Sequence, residues 1–251
     1  MTDAMRLLMV LGGLFLAIFP AAAAAPQAPD CSVPSELVED DPRLPELAEH
    51  LRQKHPITIV VIGGASTAGM ASGNAAEYAY PQRLQAALKR LYPDVPVTVV
   101  NKGVARQTTQ EMIDRFPRDV YALSPTLVIW ETGTFDAARG VDVDVFAAAL
   151  ESGLAELREH KLETMLINMQ YSRNTASVIN FMPYLEAMQH IADVDGVYLF
   201  RRFEMMKYWA ENGIFSFGEV PAERRTELAR QVYQCLADRL ADAIAYAITT
   251  Q

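Results

Sequence analysis

The run ITIVVIGGASTAGM, Ile57 to Met70, carries a β-branched apolar stretch into a glycine pair and places Ser66 just beyond it. A serine at a strand-to-helix turn is a candidate nucleophile. The free N–H groups and positive dipole of a helix start there favour negative charge as it develops. The same residues serve equally as a helix cap, with Ser66 or Thr67 accepting from free backbone amides. A phosphate cradle is excluded, because the Walker lysine and the G-x-G-x-x-G spacing are both missing.

A serine hydroxyl attacks an acyl carbon only when a base takes its proton, and histidine is the usual base. The chain has four histidines, His50, His55, His160 and His190, and they are scattered. None follows position 190, so a base for Ser66 is not evident in the sequence. The scatter also argues against a metal centre, since no pair has ligand spacing backed by nearby Cys or carboxylates. No cofactor is expected.

Other polar residues fall where strands should end. Asn101, Arg106, Glu131, Asp136 and the run NMQYSRN over 168–174, with Gln170 and Tyr171, are expected at the same end of a sheet as Ser66. Arg106 either pairs with Glu131 or Asp136, or stays free to grip a carboxylate or phosphate. Tyr171 and Phe135 would add flat apolar surface, and Asn168, Gln170 and Arg173 are either plain loop residues or ligand contacts. In FRRFEMMKYWAENGIF (200–215), Phe203, Met206 and Trp209 read as core at helical spacing, with Arg201, Arg202 and Lys207 in water.

The elements that must position these groups alternate. Apolar β-branched runs occur at 57–62, 97–101, 126–131, 164–169 and 196–200, as befits strands buried on both faces. Between them, Leu84, Leu88 and Leu91 share one helical face, as do Phe146, Leu150, Leu154 and Leu157. Two further helices are expected from MPYLEAMQHIADV and from the closing AERRTELARQVYQCLADRLADAIAYAI. This rhythm predicts a three-layer α/β/α sandwich on a parallel sheet. With a flavodoxin-like strand order, residues after strands one and three flank the ligand crevice, so Ser66 should face ETGTFDA.

The remaining features bound the setting. With 22 basic and 31 acidic residues, the net charge of −9 argues against nucleic acid or an anionic membrane surface as partner. Arg6 before LLMVLGGLFLAIF, then Pro20 and AAAAAP, reads as an export leader cleaved near Ala25, and only an uncleaved leader would attach the chain to a membrane. The expected organisation is a leader over 1–25, an arm over 26–55 with a short helix in PRLPELAEHLRQ, and one domain over 56–250. In an oxidising compartment Cys31 and Cys235 are best read as a disulfide tying the arm to the last helix, the alternative being two buried thiols.

Taken together, the chain resembles the SGNH (GDSL-like) hydrolase family over roughly 57 to 245. Gly64-Ala65-Ser66 stands where that family has G-D-S, VVNKGVARQTTQ has the cadence of its second block, and TGTFDA lies where G-x-N-D is expected. The resemblance implies a five-stranded parallel sheet of flavodoxin type and ester or acyl hydrolysis through Ser66. It also places the amide-donating glycine of block two at Arg106, with Gly103 as an alternative, and the block-three asparagine at Phe135. Gly133 and Asp136 match. The fifth block should supply D-x-x-H before the last helix, where this chain reads ENGIFSFGEVPAERR. Three functions follow: an exported hydrolase with a non-standard base; a silent relative binding an ester, acyl, carbohydrate or anionic ligand; or a periplasmic assembly factor holding another protein.

Overall fold

The computed structural model describes residues 29–39, 44–218 and 220–249. The expected leader lies outside these residues. Five strands, β1 (Ile57–Gly63), β2 (Val97–Gly103), β3 (Leu127–Glu131), β4 (Glu163–Ile167) and β5 (Tyr198–Phe200), form one sheet in the order β2-β1-β3-β4-β5. Every pairing is parallel, with Ile59 opposite Val99 on one side and Leu127 on the other. This is the flavodoxin-type order that the resemblance implies, and its switch point lies between β1 and β3.

Side-chain alternation along the strands splits the core in two. Ile57, Ile59, Val61, Leu127, Ile129, Met165 and Phe200 face one layer of helices. That layer holds α1 (Pro45–Arg52), α2 (Ala75–Tyr78), α3 (Tyr80–Leu91), most of α10 (Arg202–Glu211) and the long α11 (Ala222–Thr249). Val60, Ile62, Val128, Trp130, Leu166 and Leu199 face the other. There lie α4 (Thr109–Ile113), α5 (Phe116–Asp119), α6 (Thr134–Arg139), α7 (Val143–Glu159) and α9 (Met182–Asp195), with the short α8 (Arg173–Ala176) preceding α9. The sandwich of three layers is therefore as the periodicity predicts. Leu91 is the exception on its helical face: in the last turn of α3 it is 49% exposed, beyond the edge of the core.

The arm is tied down twice. Cys31 and Cys235 form a disulfide, with Cα atoms 5.3 Å apart and 204 positions between them. On the chain-entropy account, closing so long a loop contributes about 5 kcal/mol. Further along, Glu163 at the start of β4 accepts from the amides of Glu46 and Leu47 at 2.6 and 2.9 Å, capping α1 from another element. Among the described residues no helix is long and apolar enough to cross a membrane.

Candidate functional site

β1 does not run into an α-helix, contrary to the expectation for Ser66. Residues 64–69 form a single turn closed by Ala68 N–H to Gly64 O at 3.0 Å and Met70 N–H to Ala65 O at 3.2 Å. Gly69 then takes a left-handed φ of +70°, which ends the turn before a helix can grow. No helix dipole therefore builds up at Ser66. The turn is fixed from the side by Asn101 at the end of β2, whose Nδ2 donates to Thr67 O at 2.7 Å.

Ser66 is buried, 6% exposed, and its hydroxyl sits between two charged groups. It donates to Glu131 Oε2 at 2.8 Å and accepts from Arg202 Nη1 at 2.7 Å. Arg202 Nη2 closes the triangle on Glu131 Oε1 at 3.1 Å. Thr67 adds its amide to Glu131 Oε2 at 3.1 Å and its hydroxyl to the same oxygen, while Tyr80 OH lies 2.8 Å from that hydroxyl. Gly63 makes room for this convergence: a Cβ there would stand 2.8 Å from Glu131 Cβ and 2.9 Å from Oε2.

The electrostatics follow from this packing. Burial pushes the Glu131 carboxyl up, but the adjacent Arg202 charge and the bonds from Thr67 and Ser66 outweigh it and hold the pKa below the ordinary carboxylate value. Burial drives the Tyr80 phenol upward, assisted by the nearby Glu131 charge.

Arg202 overturns the expectation that it stays in water: it is 1% exposed. It opens α10 directly after β5, and Asn168, following β4, holds that helix start by accepting from Phe203 N–H at 2.8 Å. The signal that finds Arg202 is position, since residues just past the carboxyl ends of strands line the crevice of such sheets. Phe203, Met206 and Trp209 are buried as their spacing predicts.

Two cavities open from Ser66. The larger, about 450 Å³, has Tyr171, Phe217, Tyr233, Gln170, Asn174 and Arg202 in its wall. The smaller, about 110 Å³, is lined among others by Arg106, Gln107, Glu131, Thr134, Phe135 and Gln170. Of the residues singled out in the sequence, Ser66, Arg106, Glu131, Gln170 and Tyr171 thus come together.

Gly103, Gly133 and Asp136 stand behind these walls. The Gly103 amide donates to Asn101 Oδ1 at 2.9 Å, and a Cβ there would meet the backbone of Ala68, so Gly103 serves close packing. Gly133 begins α6 at φ +85° against Phe146. Asp136 accepts from the Thr109 amide at 3.0 Å and from its hydroxyl at 3.0 Å, with burial raising its pKa. Arg106 therefore pairs with neither acid considered for it.

The histidines lie elsewhere. His50 and His55 meet edge to face at 5.8 Å beside α1, His160 stacks on Tyr121, and His190 is exposed on α9.

A family model described as the non-GDSL lipase-like family matches residues 30–250. The chain belongs to that family. Solved structures share the fold of SGNH/GDSL-type hydrolases. A G-D-S-L family protein from Desulfitobacterium hafniense is 19% identical, covering 74% of this chain and 99% of its own, with a TM-score of 0.58. A two-domain esterase active on acetylated mannans, co-crystallised with mannopentaose, is 16% identical over 80% of this chain and 53% of its own, with a TM-score of 0.64. An acetylxylan esterase from Geobacillus stearothermophilus is 20% identical over 78% and 95%, with a TM-score of 0.59. Among curated proteins, no sequence match is found. At these identities the likeness is one of fold.

Proposed function

We propose that this exported member of the family binds a carbohydrate or acylated carbohydrate in the cleft over Ser66 and does not turn it over at hydrolase rates. One observation carries the reading: the Ser66 hydroxyl is locked between Arg202 and Glu131, and no histidine lines either cavity. A general base works best with a pKa near the operating pH, and Glu131 is held on the wrong side of its ordinary value by Arg202. Arg202 also donates into the oxygen that would have to attack. The oxyanion donors are weakened in parallel. The Gly103 amide is engaged by Asn101, and Phe135 offers no side-chain donor.

The larger cavity supports a sugar as ligand. Its aromatic wall of Tyr171, Phe217 and Tyr233 suits the apolar faces of sugar rings, and Gln170, Ser172 and Asn174 offer hydrogen bonds to hydroxyls. Relatives of the same fold act on acetylated mannans and xylan. Export is supported by the Cys31–Cys235 disulfide together with the leader-like start.

Calorimetry of the mature protein with mannopentaose, beside labelling by a fluorophosphonate probe and turnover of an activated acetate ester, tests the reading. Saccharide binding without labelling is expected. Turnover that disappears in Ser66→Ala would sink it.

A second reading has its own observation, the 2.8 Å contact of Ser66 Oγ with Glu131 Oε2. In it, Glu131 takes the Ser66 proton as Oγ bonds to the ester carbonyl carbon and the C=O π pair moves onto its oxygen. Collapse breaks the C–O bond to the alcohol, which leaves with the proton from Glu131. Water then releases the acid from Ser66 by the same route, and Arg202 remains charged. Its mark is Ser66-dependent ester turnover that is lost in Glu131→Gln as well.

A further inference from the structure

We infer that the smaller cavity beside Ser66 is a carboxylate subsite, so that the saccharide held in the adjoining cleft is an acidic one carrying a uronate group. The sugar assignment rests on the carbohydrate reading of that cleft; the carboxylate assignment stands on the geometry below.

Arg106 is the starting point. It lines the cavity, is exposed, and makes no hydrogen bond or ion pair with the described residues. Its backbone is left-handed, φ +61°, a conformation that disfavours any side chain larger than glycine. A strained cation at the mouth of a cavity, with no protein partner, is the arrangement expected of a ligand contact. The one acid in the wall, Glu131, is already neutralised by Arg202 at 3.1 Å, which leaves Arg106 as the unpaired formal charge of the lining.

The neighbouring polar groups are turned to donate. Arg115 Nε donates to Gln107 Oε1 at 2.7 Å. A guanidinium can only donate, so the oxygen of Gln107 must face Arg115, which leaves its NH₂ group available to the cavity. Arg115 is itself buried and anchored on Asp119 at 2.9 Å, so the orientation of Gln107 is imposed from behind. Thr134 lines the same space, and its Oγ1, buried behind that wall, has no hydrogen-bond partner among the described residues. A guanidinium and an amide NH₂ at a small cavity match a planar anion with acceptors on two oxygens. The volumes divide the ligand sensibly: about 110 Å³ for a small charged group and about 450 Å³ for sugar rings.

Binding of sodium glucuronate and of glucose, at matched ionic strength, is compared by calorimetry and ligand-observed NMR for wild type, Arg106→Gln and Arg106→Gly, with mannopentaose as a separate arm. Wild type should prefer glucuronate over glucose by about tenfold or more, the scale of one charge-assisted contact. Both variants should lose that preference, and Arg106→Gly should melt no lower than wild type because glycine suits the left-handed backbone. Equal binding of the two monosaccharides by wild type overturns the subsite, as does a preference that survives both substitutions. Mannopentaose binding with no glucuronate preference removes the subsite and leaves the cleft reading standing. Glucuronate preference without binding of any oligosaccharide removes the cleft reading instead.

Discussion

Arg202 Nη1 donates to Ser66 Oγ at 2.7 Å, joining the start of α10 to the turn after β1 across 136 positions of sequence. In an esterase a histidine would need that oxygen's proton; here a permanent cation takes its lone pair instead. The Glu131 carboxylate completes the arrangement from the end of β3. Function at this site therefore turns on whether the cluster is a lock or a catalytic device.

Removing Arg202 leaves Glu131 buried and unpaired. Arg202→Met should cost about 3–5 kcal/mol in urea unfolding, the range for breaking a buried ion pair. The double variant Arg202→Met/Glu131→Met should recover part of that loss, because no lone charge remains. Equal instability in single and double variants would show that packing, not charge, dominates.

Ser66→Ala keeps the Arg202–Glu131 contact and deletes only a hydroxyl. The expected loss is about 1–2 kcal/mol, read from thermal melts. Mannopentaose affinity should change little, because the wall of the larger cavity is otherwise intact.

Acid should weaken the protein through Asp119. It accepts from Arg115 and Arg118 at 2.9 Å each and from Lys102 at 3.3 Å, and Arg118 first among them, opposed by burial, holds its pKa well below the ordinary 3.8. A depressed folded pKa contributes stability that is fully present above the unfolded value and is lost as pH falls below it. Asp119→Asn should thus cost about 3 kcal/mol at neutral pH. Unfolding curves of variant and wild type should converge as pH drops below about 4. A gap that stays constant down to pH 2 would contradict this.

Reduction, or Cys31→Ser/Cys235→Ser, should lower stability by about 2–5 kcal/mol. Residues around Cys31 should become protease-sensitive first, since the arm before α1 then loses its covalent tie. The capping of α1 by Glu163 should keep the later part of the arm in place.

The parallel sheet and the two-faced core were legible in the sequence because strands buried on both sides must be continuously apolar, and intervening helices must show their own period. The strand order came only with the resemblance to the SGNH family. Given that order, Ser66 and Glu131 could be placed at one crevice, since they lie at the carboxyl ends of the strands that flank the switch point. The lack of a histidine where the family carries its fifth block was also readable, since none follows position 190, but only the tertiary structure places the four histidines away from Ser66. Tertiary structure also decided what replaces the missing histidine. Helical periodicity puts an arginine pair in water, yet Arg202 is buried because Glu131, 71 positions away, supplies the opposite charge that makes its desolvation tolerable. The turn at Ser66 likewise stops short of a helix because Gly69 adopts a left-handed backbone, a choice local sequence permits but does not compel. Period and composition act between neighbours, whereas the pairing of buried charges is settled only when distant strand ends meet.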